Sequence, residues 1–517
     1  MSIDAVEISL FAHRLAAICE EMGAVLKRSA ISPNIRDRED FSCALFDEKG
    51  ELISQAAHIP VHLGSMAFAM SGVIPLFVWR PDDVVVFNDP FLGGTHLPDI
   101  TVVAPVFIDG ELIAFSAARA HHADIGGVSP GSMGVETRLE DEGVIISPCY
   151  WFEAGIEDTN LPRLFYESVR APAERMGDLS AQKAAALRGG ERLNDYKAKK
   201  LREMFAALIA VSEGYGRAAL SSIPDGNYAF EDFLEDDGCG SGPLVIRASV
   251  QVRGESAIVD FTGTAMQCRG PLNCPLAVTA ASVFYVFRCL MPEHTPQTAA
   301  VFHPITIRAP KGCLVNAGKG APVAAGNVET SQRIVDVLLG ALAQAIPDSI
   351  PAAAQGTMNN VIFGGTTNGG VWVYYETLAG GMGAFDGGDG LSAVQCHMTN
   401  TKNTSIEVLE MHYPLRISTY GVRNGSGGKG AFDGGDGLVR EWFVLEDCNL
   451  SLLTERRSSQ PYGLGGGKPG MSGVNSLCRN GEWRALAGKG SFELKRGDRI
   501  KIETPGGGGF GSAQLKG

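Results

Sequence analysis

Five of the ten histidines of this 517-residue chain fall between positions 58 and 122: His58, His62, His96, His121 and His122. Asp37, Asp40, Asp99 and Asp124 lie around them. Imidazole and carboxylate together form a donor set that suits zinc, manganese or iron. A metal-assisted enzyme is therefore the first expectation. Most of the candidates sit in two stretches of loop character, 88–99 and 119–127. His58 and His62, four apart, could add ligands or a general base, or could merely mark a helix start.

Such residues need elements that bring them together. Ile100–Ile108 and Glu111–Ala118 flank Asp109-Gly110, a two-residue hairpin turn. A regular ladder from that turn sets Asp99 opposite Ala120 and Pro98 opposite His121. His96, Asp99, His121 and His122 then converge at the open end of one hairpin. Because strand side chains alternate, this register puts His122 on the Asp99 face and His121 on the other. Pro98 and the nearby glycines could end the ladder early or add a bulge, so pattern alone leaves both imidazoles open. A second hairpin, Ser42–Phe46 and Glu51–Gln55 around the turn 47–50, sets Asp40 opposite Ala57, beside His58.

Around these hairpins the pattern is mixed. Residues 5–30 predict an amphipathic helix with Phe11, Leu15, Ile18, Met22 and Val25 on one stripe. Residues 181–187 and 196–215 read as helical, with a break at Gly189-Gly190. Residues 226–262 read as strands, and 275–290 and 327–345 as mostly buried helices. From about 360 onward the chain is strand, turn and glycine. The expected fold class is a mixed α/β (α+β), multi-lobed chain: a metal-site lobe over 1–220, an α/β lobe over 221–355 and a β- and glycine-rich lobe over 356–517. Glycine is over-used, 65 residues in all, in short clusters that allow tight turns and close backbone approach. The nine residues Gly383–Leu391 recur unchanged at Gly430–Leu438. Both copies read as glycine turns between strands; their Asp-x-x-Asp-Gly spacing resembles a hard-cation loop but lacks the later glutamate of an EF-hand.

Composition excludes several classes. A net charge of −14 argues against nucleic acid or an anionic membrane as the main partner. The eleven cysteines are scattered, with no C-x-x-C, as suits reduced thiols. Asp4 and Glu7 stand where a signal peptide would be basic, and a cytoplasmic protein is expected. There is no G-x-x-x-x-G-K-[ST] loop and no G-x-S-x-G elbow, so neither nucleotide binding by a phosphate loop nor serine hydrolysis has support.

Several motifs together carry a resemblance. Asp40–Asp47, Asn88-Asp89-Pro90 followed by Gly93–Asp99, Asp124–Gly127, Asp260–Thr264, Gly326–Arg333, His397–Thr401 and the closing Thr504–Gly509 follow one another in the order of the hydantoinase B/oxoprolinase family, which the chain resembles over nearly its whole length. The resemblance implies a B-type component acting beside an A-type ATPase subunit in a hetero-oligomer. ATP with Mg2+ is consumed by that partner, which explains the missing nucleotide loop. A divalent metal, Zn2+ or Mn2+, is implied on Asp40, His96, Asp99 and His121, favouring His121 over His122. His122, Asp124 or His58 would orient ligands or relay a proton. The implied reaction is opening of a cyclic amide (hydantoin, 5-oxoproline or a lactam) phosphorylated by the partner. A ketone carboxylase subunit, or a scaffold with a structural metal, is the alternative. Members often carry an arginine where this chain has Asp433-Gly434-Gly435, and Arg423 and Lys429 stand nearby as substitutes.

Overall fold

The computed structural model describes residues 4–56, 59–62, 64–367 and 370–512. Seven strands form the sheet that carries the histidines: β1 (Phe41–Asp47), β2 (Leu52–Ala56), β3 (Val84–Phe87), β4 (Asp99–Ile108), β5 (Glu111–His121), β6 (Cys149–Glu153) and β7 (Ile156–Glu157). Their order is β2-β1-β5-β4-β3-β6-β7, antiparallel throughout. The expected helix runs Ala5–Ser29 and buries Phe11, Leu15, Ile18 and Met22 against one face. The helix Pro172–Leu193 shares that face, and Ser65–Val73 covers the other with Met66, Ala69, Met70 and Val73. With apolar layers on both sides, β1 and β2 are buried at every residue, which is why their polar–apolar alternation is faint in the sequence.

Two expectations fail here. The break at Gly189-Gly190 is absent, and the helix continues through both glycines. A side chain at Gly189 would run into Ser116 on β5 and Met22 on the first helix, so this glycine serves close packing rather than termination. The register of both hairpins also differs. At the Asp109-Gly110 end, Ile108 pairs with Glu111 and Phe107 with Leu112 as expected, but Val106 pairs with Ala114. Ile113 is thus an extra residue, a bulge that moves every pair beyond it by one. In the first hairpin Leu45 pairs with Ser54, two positions from the expected partner, with its own irregularity between Leu45 and Phe46. Asp40 is placed instead by β5: Phe41 pairs with Ala120, and the His121 amide donates to the Asp40 carbonyl at 3.0 Å.

A second sheet follows: β8 (Gly226–Leu234), β9 (Leu244–Arg253), β10 (Ser256–Asp260) and β11 (Ile305–Arg308), with β10 and β11 parallel. The helix Leu276–Cys289 packs on the helix Ser331–Leu342, which lies on this sheet. A π-helical turn, Gly326–Thr330, leads into the latter helix. The C-terminal part is two antiparallel sheets whose Phe363, Leu450 and Leu452 meet Trp442, Leu477 and Ile500.

Beside those sheets the glycine clusters gather into a bundle of main chain on main chain. The amide of Gly434 donates to the Gly428 carbonyl, Gly435 to Met382, Gly507 to Gly435 and Gly509 to Lys468, at 2.8–2.9 Å. A side chain on Gly434 would strike the carbonyl of Gly507, and one on Gly507 the carbonyl of Met382. The two copies of the nine-residue repeat lie side by side within it, the Asp433 amide donating to Asp389 at 2.7 Å. The glycine-turn reading of the repeat is the one this arrangement favours.

Candidate metal centre

The bulge at Ile113 decides which imidazole faces the candidate site. Asp99 lies directly opposite His121, so the two share a face. That is also the face of Arg119, whose guanidinium donates to Ser65 Oγ at 2.8 Å on the covering helix. His122 turns to the other side and meets the helix Pro172–Leu193, with its Nε2 2.8 Å from Gln182 Oε1. Burial pushes the His122 imidazole down to about 4, so it stands neutral at physiological pH.

Three atoms converge: His96 Nε2, His121 Nδ1 and Asp99 Oδ1, each 3.1 Å from the other two. All three residues are buried. The His96 Nδ1–H donates to the Ala324 carbonyl at 3.0 Å, so Nε2 is the ring nitrogen that faces the cluster. Asp99 Oδ2 is held separately, by Thr95 Oγ1, by Asn327 Nδ2 at 3.3 Å and by His62 Nε2 at 3.4 Å. His62 is itself fixed by Ser42 Oγ, 3.0 Å from its Nδ1. The Tyr375 ring stacks on His121 at 4.8 Å between centroids and is anchored by its hydroxyl on Asn360 Oδ1 at 2.9 Å.

The electrostatics favour a negative Asp99. Burial alone would raise its carboxyl, but the charge of His96 and the hydrogen bonds of His121, His62 and His96 hold it well below the usual carboxylate range. Burial works against a charge on His96, and Asp99 overcomes it, so His96 is raised. For His121 burial wins and the imidazole is lowered. One charged carboxylate among buried imidazoles is the electrostatic environment of a cation site.

The residues fit a divalent ion by two observations. Ligand atoms about 2.1 Å from an ion and at right angles to one another lie about 3.0 Å apart, close to the spacing found here. The donor set, two imidazoles and a carboxylate, is also the chemistry that first-row divalent ions take, although the buried and unpartnered His121 Nε2 is not the atom that faces the cluster. Among the described residues, His96, Asp99 and His121 offer donor atoms within 4.8 Å of one another.

The remaining sequence-level candidates are placed as follows. Asp40 lines the same small cavity as the three, together with His62, Asn327, Tyr375, Thr399 and Thr401, but is not one of the converging set. Asp124 lies beyond the strand end and organises its loop. It accepts from the amides of Gly126 and Gly131 at 2.9 and 3.0 Å and from Arg170 Nη1 at 2.8 Å. His58 lies outside the described residues. Arg423 is committed to the carbonyls of Ser472 and Thr504, and Lys429 to Asp433. Sequence reasoning did not select Asn327, Tyr375 or Ser42. For Asn327 and Ser42 a signal existed, the Gly326–Arg333 and Asp40–Asp47 motifs; for Tyr375 none was visible.

A family model described as hydantoinase B/oxoprolinase matches residues 4–513. The chain belongs to this family. Its member 5-oxoprolinase 1 of Arabidopsis thaliana is 39% identical over 98% of this chain and 42% of its own length. A Pseudomonas protein named as the B component of a D-/L-hydantoinase is 33% identical over 99% of this chain and 90% of its own. The chain thus spans about two-fifths of the 5-oxoprolinase and nearly all of the hydantoinase component. The crystal structure of the ATP-dependent caprolactamase from Pseudomonas jessenii superposes with a TM-score of 0.93 at 27% identity, covering 100% of this chain and 92% of that one. Acetone carboxylase shares the fold, with a TM-score of 0.89 at 18% identity over 98% of this chain and 75% of its own. The expected mixed α/β architecture agrees with these folds. The expectation of an ATP-dependent hydrolase of cyclic amides is in keeping with the names of the relatives. No helix among the described residues is long and apolar enough to cross a membrane.

Proposed function

We propose that this chain is the metal-bearing B-type component of an ATP-dependent cyclic amidase, opening a ring amide that an A-type ATPase subunit has activated. The convergence of His96 Nε2, His121 Nδ1 and Asp99 Oδ1 carries the reading. His96, Asp99 and His121 would hold a zinc or manganese ion, with Asp40 supplying further negative charge at the cavity. Such an ion, when bound, supplies Lewis acidity and hydroxide at neutral pH.

The protein's own groups prepare that chemistry. Ala324 fixes the His96 tautomer, and Thr95 and His62 hold the outer oxygen of Asp99 so that its inner oxygen faces the imidazoles. His62 Nε2–H donates to the outer oxygen of Asp99 and its Nδ1 lies against Ser42 Oγ, so this imidazole would orient the carboxylate. His122 and Asp124 act at a remove, by anchoring β5 to the helix behind it and by shaping the loop after it. An unactivated amide resists water because its carbonyl is resonance-stabilised and its nitrogen leaves poorly. Phosphorylation of the amide oxygen by the partner removes that resonance, so the division of labour between two proteins follows from the chemistry.

The test combines elemental analysis of the purified chain with turnover in the reconstituted pair. The expected result is one bound zinc or manganese per chain and ATP-dependent ring opening of 5-oxoproline, a hydantoin or caprolactam without bicarbonate. A metal-free chain, or turnover that requires a ketone and bicarbonate, rejects the reading.

A further inference from the structure

The three converging side chains come from one hairpin, yet each is steadied by the same distant segment, 322–330. The Ala324 carbonyl receives His96 Nδ1–H, and Asn327 Nδ2 donates to Asp99 Oδ2. Glu329 accepts from Asn360 Nδ2 at 2.9 Å, Asn360 receives the Tyr375 hydroxyl, and Tyr375 stacks on His121. The segment is pinned in turn by Glu142, whose two oxygens accept from the amides of Val323 and Ala324 at 3.1 and 2.9 Å. Gly326 lets it approach closely, since any side chain there would overlap the Asn273 carbonyl.

Asn327 stands at the most informative point. It lies in the π-helical turn, is 3% exposed, and lines the cavity of the candidate centre. Wide turns of this kind are rare and recur at functional sites. Only its amide nitrogen can donate to a carboxylate, so the orientation of the carboxamide is fixed by Asp99. Its Oδ1 is then a buried acceptor without a partner. An acceptor left so at a purely structural position is costly. The cavity, about 20 Å3, admits a single water-sized molecule.

We infer that Asn327 is a positioning residue of the candidate centre: its N–H turns Asp99 so that Oδ1 faces His96 and His121, and its Oδ1 receives a hydrogen bond from a water in the cavity. This rests on the metal reading above. Outer-shell partners of metal ligands typically change metal affinity by about 10–100-fold. Losing the N–H frees Asp99 to rotate, whatever else fills the space.

The experiment is a chelator competition on the full chain loaded with zinc or with manganese, with thermal unfolding of the metal-free forms alongside. Asn327→Ala removes donor and acceptor. Asn327→Leu keeps nearly the same shape, without charge, and removes the donor. Both variants are expected to bind the ion about 10–100-fold more weakly than wild type, while the metal-free Asn327→Ala form unfolds at the wild-type temperature. If Asn327→Ala does not fold, the near-isosteric Asn327→Leu carries the test. Wild-type affinity in Asn327→Leu overturns the inference alone. A wild-type chain that binds neither ion overturns the metal reading beneath it.

Discussion

His121 and His122 are adjacent, equally buried and of one chemistry, yet the bulge at Ile113 gives them opposite assignments. Truncation of each to alanine should separate the two. In His121→Ala one of three converging donors is lost, leaving His96 Nε2 and Asp99 Oδ1. Affinity for zinc or manganese should fall at least ~100-fold, which is about 2.7 kcal/mol of binding free energy. In His122→Ala the centre is untouched, but Gln182 Oε1 loses its buried partner at 2.8 Å. That costs about 1–3 kcal/mol for the orphaned acceptor. The space left beside Phe165, 6.5 Å away between centroids, adds a further ~1–2 kcal/mol. Gln182 softens the loss because its Nε2 still bridges the carbonyls of Ile100 and Ala118. The expected pattern is thus reciprocal: weak metal binding with modest stability change for the first variant, wild-type metal binding with stability reduced by about 3 kcal/mol for the second. Elemental analysis after dialysis and denaturant unfolding of the metal-free proteins read the two quantities separately. Metal lost in His122→Ala and kept in His121→Ala would refute the facing argument and the bulge on which it rests.

Other consequences can be measured on the same chain. Glu376 and Arg440 are buried together, with Glu376 Oε2 2.6 Å from the guanidinium and Tyr420 and Trp442 against it, so Glu376→Ala should cost about 3–5 kcal/mol in denaturant unfolding. Burial pushes Glu142 up to about 8 against the pull of the Ala324 and Val323 amides. A carboxyl raised above its unfolded value loses stability as pH climbs from about 4.5 to about 8, so wild type should weaken relative to Glu142→Gln across that window, by about 5 kcal/mol at most. A parallel pH dependence of the two proteins would exclude a raised Glu142. Gly507→Ala forces a methyl group onto the Met382 carbonyl, where main chain cannot step aside, and should destabilise by about 3 kcal/mol or more. Gly72→Ala, in open space on a helix, should instead gain up to about 1 kcal/mol.

The comparison of sequence and structure turns on single residues. The Asp109-Gly110 hairpin, the stripe of the first helix and the gathering of His96, Asp99 and His121 were legible because each rests on local pattern or on short-range pairing. The facing of His121 was not, because one extra residue in a strand leaves no mark in an apolar run such as Leu112-Ile113-Ala114. The continuity of the helix through Gly189 was invisible for a related reason: the need for a small residue there is set by Met22 and Ser116, which are distant in sequence. Asn327, Tyr375 and Ser42 reach the centre from three different regions of the chain, so their contribution depends on tertiary placement that no spacing encodes. Asp40 was implied as an equal ligand by the resemblance; here it lines the cavity while three others converge.

The glycine bundle has a thermal consequence. Where ordinary cores bury hydrocarbon, this one buries amide and carbonyl groups against each other. Exposing apolar surface on unfolding raises the heat capacity, whereas exposing polar surface lowers it. The C-terminal bundle should therefore unfold with an unusually small heat-capacity increment for its size, and its stability should vary less with temperature than that of the histidine-bearing sheet. Cooling, which weakens apolar burial, would then loosen the metal-site region before the glycine scaffold that stands beside it.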